Sequence, residues 1–327
     1  MSSLKFKVLS VLSIFFLAGW ALADIDANVK KTFDVKPGGN LVIDADFGSI
    51  EVTTHSSNQV QIEVYRKIDA FTQKEAERIL EDLELTIKQD GNDVFVNADY
   101  LRDGFNWGKT RIKLRFVAVV PKEYNVDLKT AGGSISVDDL DGKVVARTSG
   151  GSLQFGNING PVDGRTSGGS ITLEGCNGDA DVHTSGGSIN IGKVDGSVKA
   201  GTSGGSITIN RANGTVEAKT SGGSINVDEV MGDINASTSG GGINAKISAQ
   251  PRGDCRLSTS GGSVNVYMFD DIKVDVDAKT SGGRVKTDFP VTIQGEIKKN
   301  QLQAKINDGG PLLHLRTSGG NINLNKM

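Results

Sequence analysis

Residues 220–237 read TSGGSINVDEVMGDINAS; the eighteen before them read TSGGSITINRANGTVEAK, and TSGGGINAKI follows. The phrase recurs with a fixed step. Thr130, Thr148, Thr166, Thr184, Thr202, Thr220 and Thr238 each open a Thr-[Ser/Ala]-Gly-Gly, 18 residues apart. Thr259 and Thr280 continue at steps of 21, and Thr317 closes the series after a step of 37. A constant period of this size marks a stacked repeat architecture, in which each unit buries its apolar face only against its neighbours.

Numbering each unit from its Thr makes the pattern physical. Positions 6 and 8 are apolar in register: Ile135/Val137, Leu153/Phe155, Ile171/Leu173, Ile189/Ile191, Ile207/Ile209 and Ile225/Val227. Positions 15 and 17 alternate likewise with smaller residues, as in Val144/Ala146, Ala180/Val182, Val198/Ala200 and Val216/Ala218. Period-two alternation predicts half-buried strands, two per unit. Between them stand Asp141-Gly142, Asn159-Gly160, Asn177-Gly178, Asp195-Gly196 and Asn213-Gly214, pairs that predict a tight corner with positive φ. The Gly-Gly of the phrase makes the other corner, where a side chain would clash or forbid the backbone angle.

An antiparallel meander would use the same turns. Identical residues returning every 18 positions instead stack like on like, so the fold class is an all-β, single-stranded parallel β-solenoid with about 4.8 Å per rung. The handedness of parallel crossovers predicts a right-handed β-helix. Parity turns the position 1 threonines inward, where their hydroxyls can bond along the stack. Only the serines at positions 2 and 5 are left to face water.

The flanks differ from the array. Lys5 and Lys7 precede an apolar stretch over residues 8–23 that closes in Ala21-Leu22-Ala23. That order is a secretory signal peptide, residues 1–23, cut after Ala23. The run is shorter than a membrane span needs, no Cys follows it for lipidation, and no second apolar stretch lies near Met327, so the expected product is exported and soluble, periplasmic or secreted to the cell surface. Residues 24–129 read as an N-terminal α+β cap. Within them Phe47-Gly48-Ser49-Ile50 is a degenerate copy of the phrase, and Thr72-Gln-Lys-Glu75 has capping-box spacing ahead of Ala76, Ile79, Leu80 and Leu83 on one helical face. Residues 130–285 are the regular solenoid. Residues 286–327 hold an excursion and a final rung, whose unpaired edge would invite self-association unless the excursion folds back over it.

Charge removes one class of function. The chain carries 36 Lys plus Arg against 39 Asp plus Glu, which gives nucleic acid no electrostatic foothold. The 43 Gly against 6 Pro lack a collagen period, and few of the 37% hydrophobic residues are aromatic, so the core is thin and aliphatic.

The repeated TSGGSI phrase, the opening FDVKPGGNLVIDADFGSIEV, the entry VVPKEYNVDLKTAGGSISV and the closing LLHLRTSGGNINL resemble a bacterial domain family called "putative adhesin", and the chain is similar also to autotransporter adhesin head domains. The resemblance spans nearly all of the chain after residue 23. It implies a surface β-solenoid and carries no catalytic motif onto any position here.

Two exposed faces remain as candidate sites. Positions 5 and 7 give a flat array of hydroxyls and amides: Ser152, Gln154, Ser170, Thr172, Ser188, Asn190, Ser206, Thr208, Ser224 and Asn226, with Ser134/Ser136 and Ser263/Asn265 extending it. Constant spacing suits a repeating polar ligand such as an envelope glycan, against a bland reading as a solvated sheet face. The second face stacks Arg147, Asp163, Arg165, Asp181 and His183 with Lys199 beside them. Two carboxylates about 5 Å apart near a cation resemble a glycosidase pair, against a bland reading as a charge ladder.

Other motifs carry less. His55, His183 and His314 lie too far apart to share a metal, turn chemistry explains the Asp/Asn column at position 12, and no cofactor or metal is expected. Cys176 and Cys255 fall four rungs apart, about 19 Å, beyond disulfide reach. Arg252-Gly253-Asp254 places its Gly at an ordinary turn position. The expectation is an exported, non-catalytic structural or adhesive module of the cell envelope, with an envelope polymer or protein as partner. The rivals are a glycan-active enzyme and an accessory of envelope stress signalling that binds a membrane protein.

Overall fold

The threonine that opens each unit is where two sheets meet. In the computed structural model, which describes residues 25–26, 28–70, 72–101, 112–293 and 298–327, the chain winds through two parallel-dominated sheets of 15 strands each. The expected leader at residues 1–23 lies outside the described residues. Positions 6 to 11 build the first sheet, with Ile171–Cys176 against Ile189–Val194 in the register Ile171↔Ile189. Positions 15 to 18 build the second, with Ala180↔Val198 and His183↔Gly201. Each residue therefore stacks on its counterpart one unit away, and the β-solenoid expectation holds.

The core is what the alternation dictates. Ile171, Ile189, Ile207 and Ile225 form one buried column, Ala180, Val198 and Val216 face them from the other sheet, and Ile158, Cys176, Val194, Ala212 and Val230 add a third inward position. Threonine joins this interior. Oγ1 of Thr148, Thr166, Thr184, Thr202, Thr220 and Thr238 donates to the carbonyl of the second phrase glycine one rung back, at 2.6–2.7 Å. A buried hydroxyl is affordable only when so paired.

Two details of the corners differ from expectation. None of the array's Asx-Gly or phrase glycines has left-handed backbone; among the described residues only Gly38, Gly48, Gly91, Gly309 and Asn307 have positive φ. The glycines answer to crowding instead. A Cβ on Gly151 would overlap the Gly133 carbonyl, and one on Gly160 the Gly142 carbonyl. Parallel stacking packs corner upon corner, so each glycine makes room for the rung before it. The position 5 serines are likewise not free: Oγ of Ser134, Ser152, Ser170, Ser188 and Ser206 accepts from the backbone N–H of the next position 5 residue at 3.1–3.3 Å.

At the N-terminal end, Asn40–Ala45 pairs with Asn125–Thr130 and Ser49–His55 with Ile135–Val137, all parallel. The degenerate copy is thus a full rung stacked directly on the array. The chain leaves it and returns through an insertion that extends each sheet outward: Gln59–Ile68 and Ile112–Pro121 in the first, Leu83–Asp90 and Asp93–Tyr100 in the second. The helix is Gln73–Glu81, its N-cap Thr72 accepting from Glu75 N–H and its buried face formed by Ala76 and Ile79. Leu83, placed on the helix by its spacing, instead opens a strand and is buried there. Antiparallel strands at this end replace an open parallel edge, as a solenoid terminus requires.

The C-terminal end overturns the sequence order. Leu312–Thr317 lies between Cys255–Thr259 and Val274–Thr280 and is parallel to both, and Ile322–Lys326 lies between Val264–Met268 and Val285–Thr287. The last rung in sequence is the penultimate rung in space. The Thr317 rung is therefore flanked on both sides, and the open edge of the first sheet belongs to Val285–Thr287. The end is formed by the Thr280 rung, overlaid in the second sheet by antiparallel Gln301–Ile306 and Val291–Ile293.

Candidate functional site

Parallel register sorts the outward residues into columns. On the first sheet, Gln154, Thr172, Asn190, Thr208 and Asn226 stand one rung apart in a single line, beside the line of Ser152, Ser170, Ser188, Ser206 and Ser224. The structure thus unites all ten polar candidates. From Ser136 to Asn323 neither line contains a charged residue. The serine line is mostly half-buried and bonded to backbone; in the position 7 line Gln154, Asn190 and Asn244 are exposed and the rest half-buried.

Asparagine dominates the C-terminal half of that line. Nδ2 of Asn244 donates to Asn226 Oδ1 at 2.8 Å, Asn265 to Asn244 at 2.7 Å, and Asn323 to Asn265 at 2.7 Å. Asn244 and Asn265 each use one donor and one acceptor on their neighbours, Asn226 one acceptor and Asn323 one donor, and the remaining amide groups are left for a ligand or water. Asn244 and Asn323 join the line although neither is among the residues singled out from the sequence. The signal existed: units 220, 238, 259 and 317 carry Asn at position 7, whereas unit 280 carries Lys286.

The charged candidates also converge, on the second sheet. Arg147 Nη2 donates to Asp163 Oδ2 at 3.0 Å, and Arg165 reaches Asp163 through Nε at 3.2 Å and Asp181 through Nη2 at 2.9 Å. Nδ1 of His183 lies 2.8 Å from Arg165 Nη1 and 2.9 Å from Asp181 Oδ1. Burial, then the Arg165 charge, holds His183 below the usual histidine range, so at neutral pH the ring accepts from the guanidinium. A glycosidase pair needs open space between its carboxylates for the scissile bond or a water. Here Arg165 fills that space, on a flat sheet face, and the cluster reads as an alternating charge ladder.

The remaining motifs are structural. Asn177 and Asn213 donate along the position 12 column to Asn159 and Asp195, both at 2.9 Å. Among the described residues no group of three His, Cys, Asp or Glu could hold a metal. Cys176 and Cys255 are buried free thiols on opposite sheets, pushed up to about 11 by desolvation. Asp254 of the Arg-Gly-Asp triplet accepts from Leu312 N–H at 2.9 Å, while Arg252 and Gly253 donate backbone N–H to Asp233. The triplet is a docking corner for the C-terminal strand.

The profile of the family Toastrack DUF4097 matches residues 39–325, from the first rung through the inserted last one. The chain belongs to the Toastrack family. No curated protein matches it. Among solved structures it is similar to a "putative adhesin" from Bacteroides fragilis, at 14% identity over 91% of this chain and 96% of that one, with a TM-score of 0.37. A "putative adhesin" from Parabacteroides merdae, at 13% identity over 92% and 96%, and a "putative lipid binding protein" from Parabacteroides distasonis, at 13% over 91% and 96%, each have a TM-score of 0.33. At such scores the likeness carries no argument about this Toastrack chain. No helix among its described residues is long and apolar enough to cross a membrane.

Proposed function

We propose that this Toastrack protein is an exported, non-catalytic β-solenoid of the bacterial cell envelope, acting as a structural or adhesive module that lays its first-sheet face against a repeating, uncharged polar polymer. The observation that carries the reading is the uncharged double line from Ser136 to Asn323, one hydroxyl or amide per rung. A ligand with its own regular spacing can meet such a line at many equivalent points, each weak, and gain affinity by their number. The leader pattern of residues 1–23 supports export, and the resemblance of the repeat to autotransporter adhesin heads supports a surface role.

Co-sedimentation with isolated envelope polymer tests it. Pelleting should saturate and should be nearly the same in low and high salt, because neither line carries charge to be screened. Pelleting that vanishes as salt rises would assign binding to charged residues outside the two lines and remove the proposal.

A further inference from the structure

The rung order at the C-terminal end creates a site. Residues 312–326 occupy a slot whose two walls, residues 255–268 and 274–287, both precede them in sequence. The slot is specific for its occupant. Thr317 Oγ1 donates to Gly262 O and Thr280 Oγ1 to Gly320 O, each at 2.7 Å. Asn323 continues the asparagine line from Asn265, Leu312 N–H is received by Asp254, and Arg316 is paired with Asp277. Leu313, Leu315, Ile322 and Leu324 fill the core between the walls. Every one of these partners precedes the occupant in sequence, and the strands of the Thr280 rung join the sheets of the array only through it.

The connection into the slot is short and strained. It runs from Ile306 to Leu312 past the strand Val274–Thr280. It contains Asn307 at φ 54°, the one non-glycine left-handed residue among those described, and Gly309 at φ 77°. The Asn307 side chain holds this shape by donating to the carbonyls of Asp270 and Ile272, at 2.9 and 2.7 Å. A short strained hinge leading to an element with a complete set of contacts is the arrangement that permits exchange between identical chains: the docked contacts are the same whichever copy supplies the rung, and the hinge relaxes when it opens.

We propose that the slot between the Thr259 and Thr280 rungs is a docking site for the C-terminal rung of a second copy of this chain, so that two molecules join by exchanging residues 312–326. Asn265 and Asn323 are register partners, which makes a disulfide the direct probe. Two full-length single variants, Asn265→Cys and Asn323→Cys, are mixed, incubated and oxidised; the native Cys176 and Cys255 are buried and stay silent. Exchange predicts a cross-linked heterodimer, formed in severalfold higher yield than by the mismatched pair Asn190→Cys plus Asn323→Cys, and formed faster when Asn307→Ala loosens the hinge. The double variant Asn265→Cys/Asn323→Cys closing only within one chain, with no heterodimer from the mixture, would overturn the proposal. Equal yields from matched and mismatched pairs would overturn it as well.

Discussion

Threonine and glycine in the phrase are scaffold, and each can be tested singly. Thr184→Val keeps the shape but removes the bond to Gly169 O, leaving a part-buried carbonyl without this partner at a cost of about 1 kcal/mol. Gly187→Ala should cost more, because its Cβ meets the Gly169 backbone, which cannot move without shifting the whole rung. Urea unfolding of the two variants checks that order. His183 contributes through pH: its folded pKa lies below the unfolded value, so the unfolded chain binds the proton more readily and stability falls as pH drops through the histidine range. The facing groups are Arg165, Asp181 and Lys199, with Glu217 nearby. Melting temperatures between pH 8 and pH 5 should therefore decline less in His183→Asn than in the parent; an equal decline would assign the pH dependence elsewhere. Residue roles were legible where the parity of a strand fixes direction, as for Thr at position 1. They were not legible where a hydroxyl chooses between water and a neighbour's N–H, as for Ser at position 5, because that choice depends on how closely two rungs approach.

At the scale of the element, strands and corners followed from the 18-residue period, and the helix Gln73–Glu81 from its cap and apolar spacing. The place of the last rung did not. Proximity in sequence argues that Thr317 follows Thr280, and the 37-residue step hides a detour in which Gln301–Ile306 passes outside the Thr280 rung before the chain turns back inside it. The asparagine line was the one signal, and it is readable only once the columns are known. A penultimate rung is flanked on both sides, so Leu315→Ala should destabilise the protein by about 2–5 kcal/mol, as much as Leu173→Ala in the middle of the array; both side chains are buried. A markedly smaller loss at Leu315 would put that rung back at the edge.

For the whole molecule, the charged ladder of the second sheet contrasts with the neutral position 5 and 7 lines of the first, whose strands carry their charges farther on, at positions 9 and 10, as in the pairs Arg211–Glu229 and Lys246–Asp228. The second sheet alternates acids and bases along its ladder, with Arg165 between Asp163 and Asp181, while the first presents a line of neutral hydroxyls and amides. The central claim is that this neutral line is the working surface. Affinity for isolated envelope polymer, measured by co-sedimentation, should be compared between two triple variants: Gln154→Lys/Asn190→Lys/Asn226→Lys on the first sheet and Asp163→Asn/Asp181→Asn/Glu217→Gln on the second. Loss of binding, at least tenfold, in the first variant alone is the predicted result. Binding that survives the three lysines, or fails only when the second sheet is altered, would contradict the account.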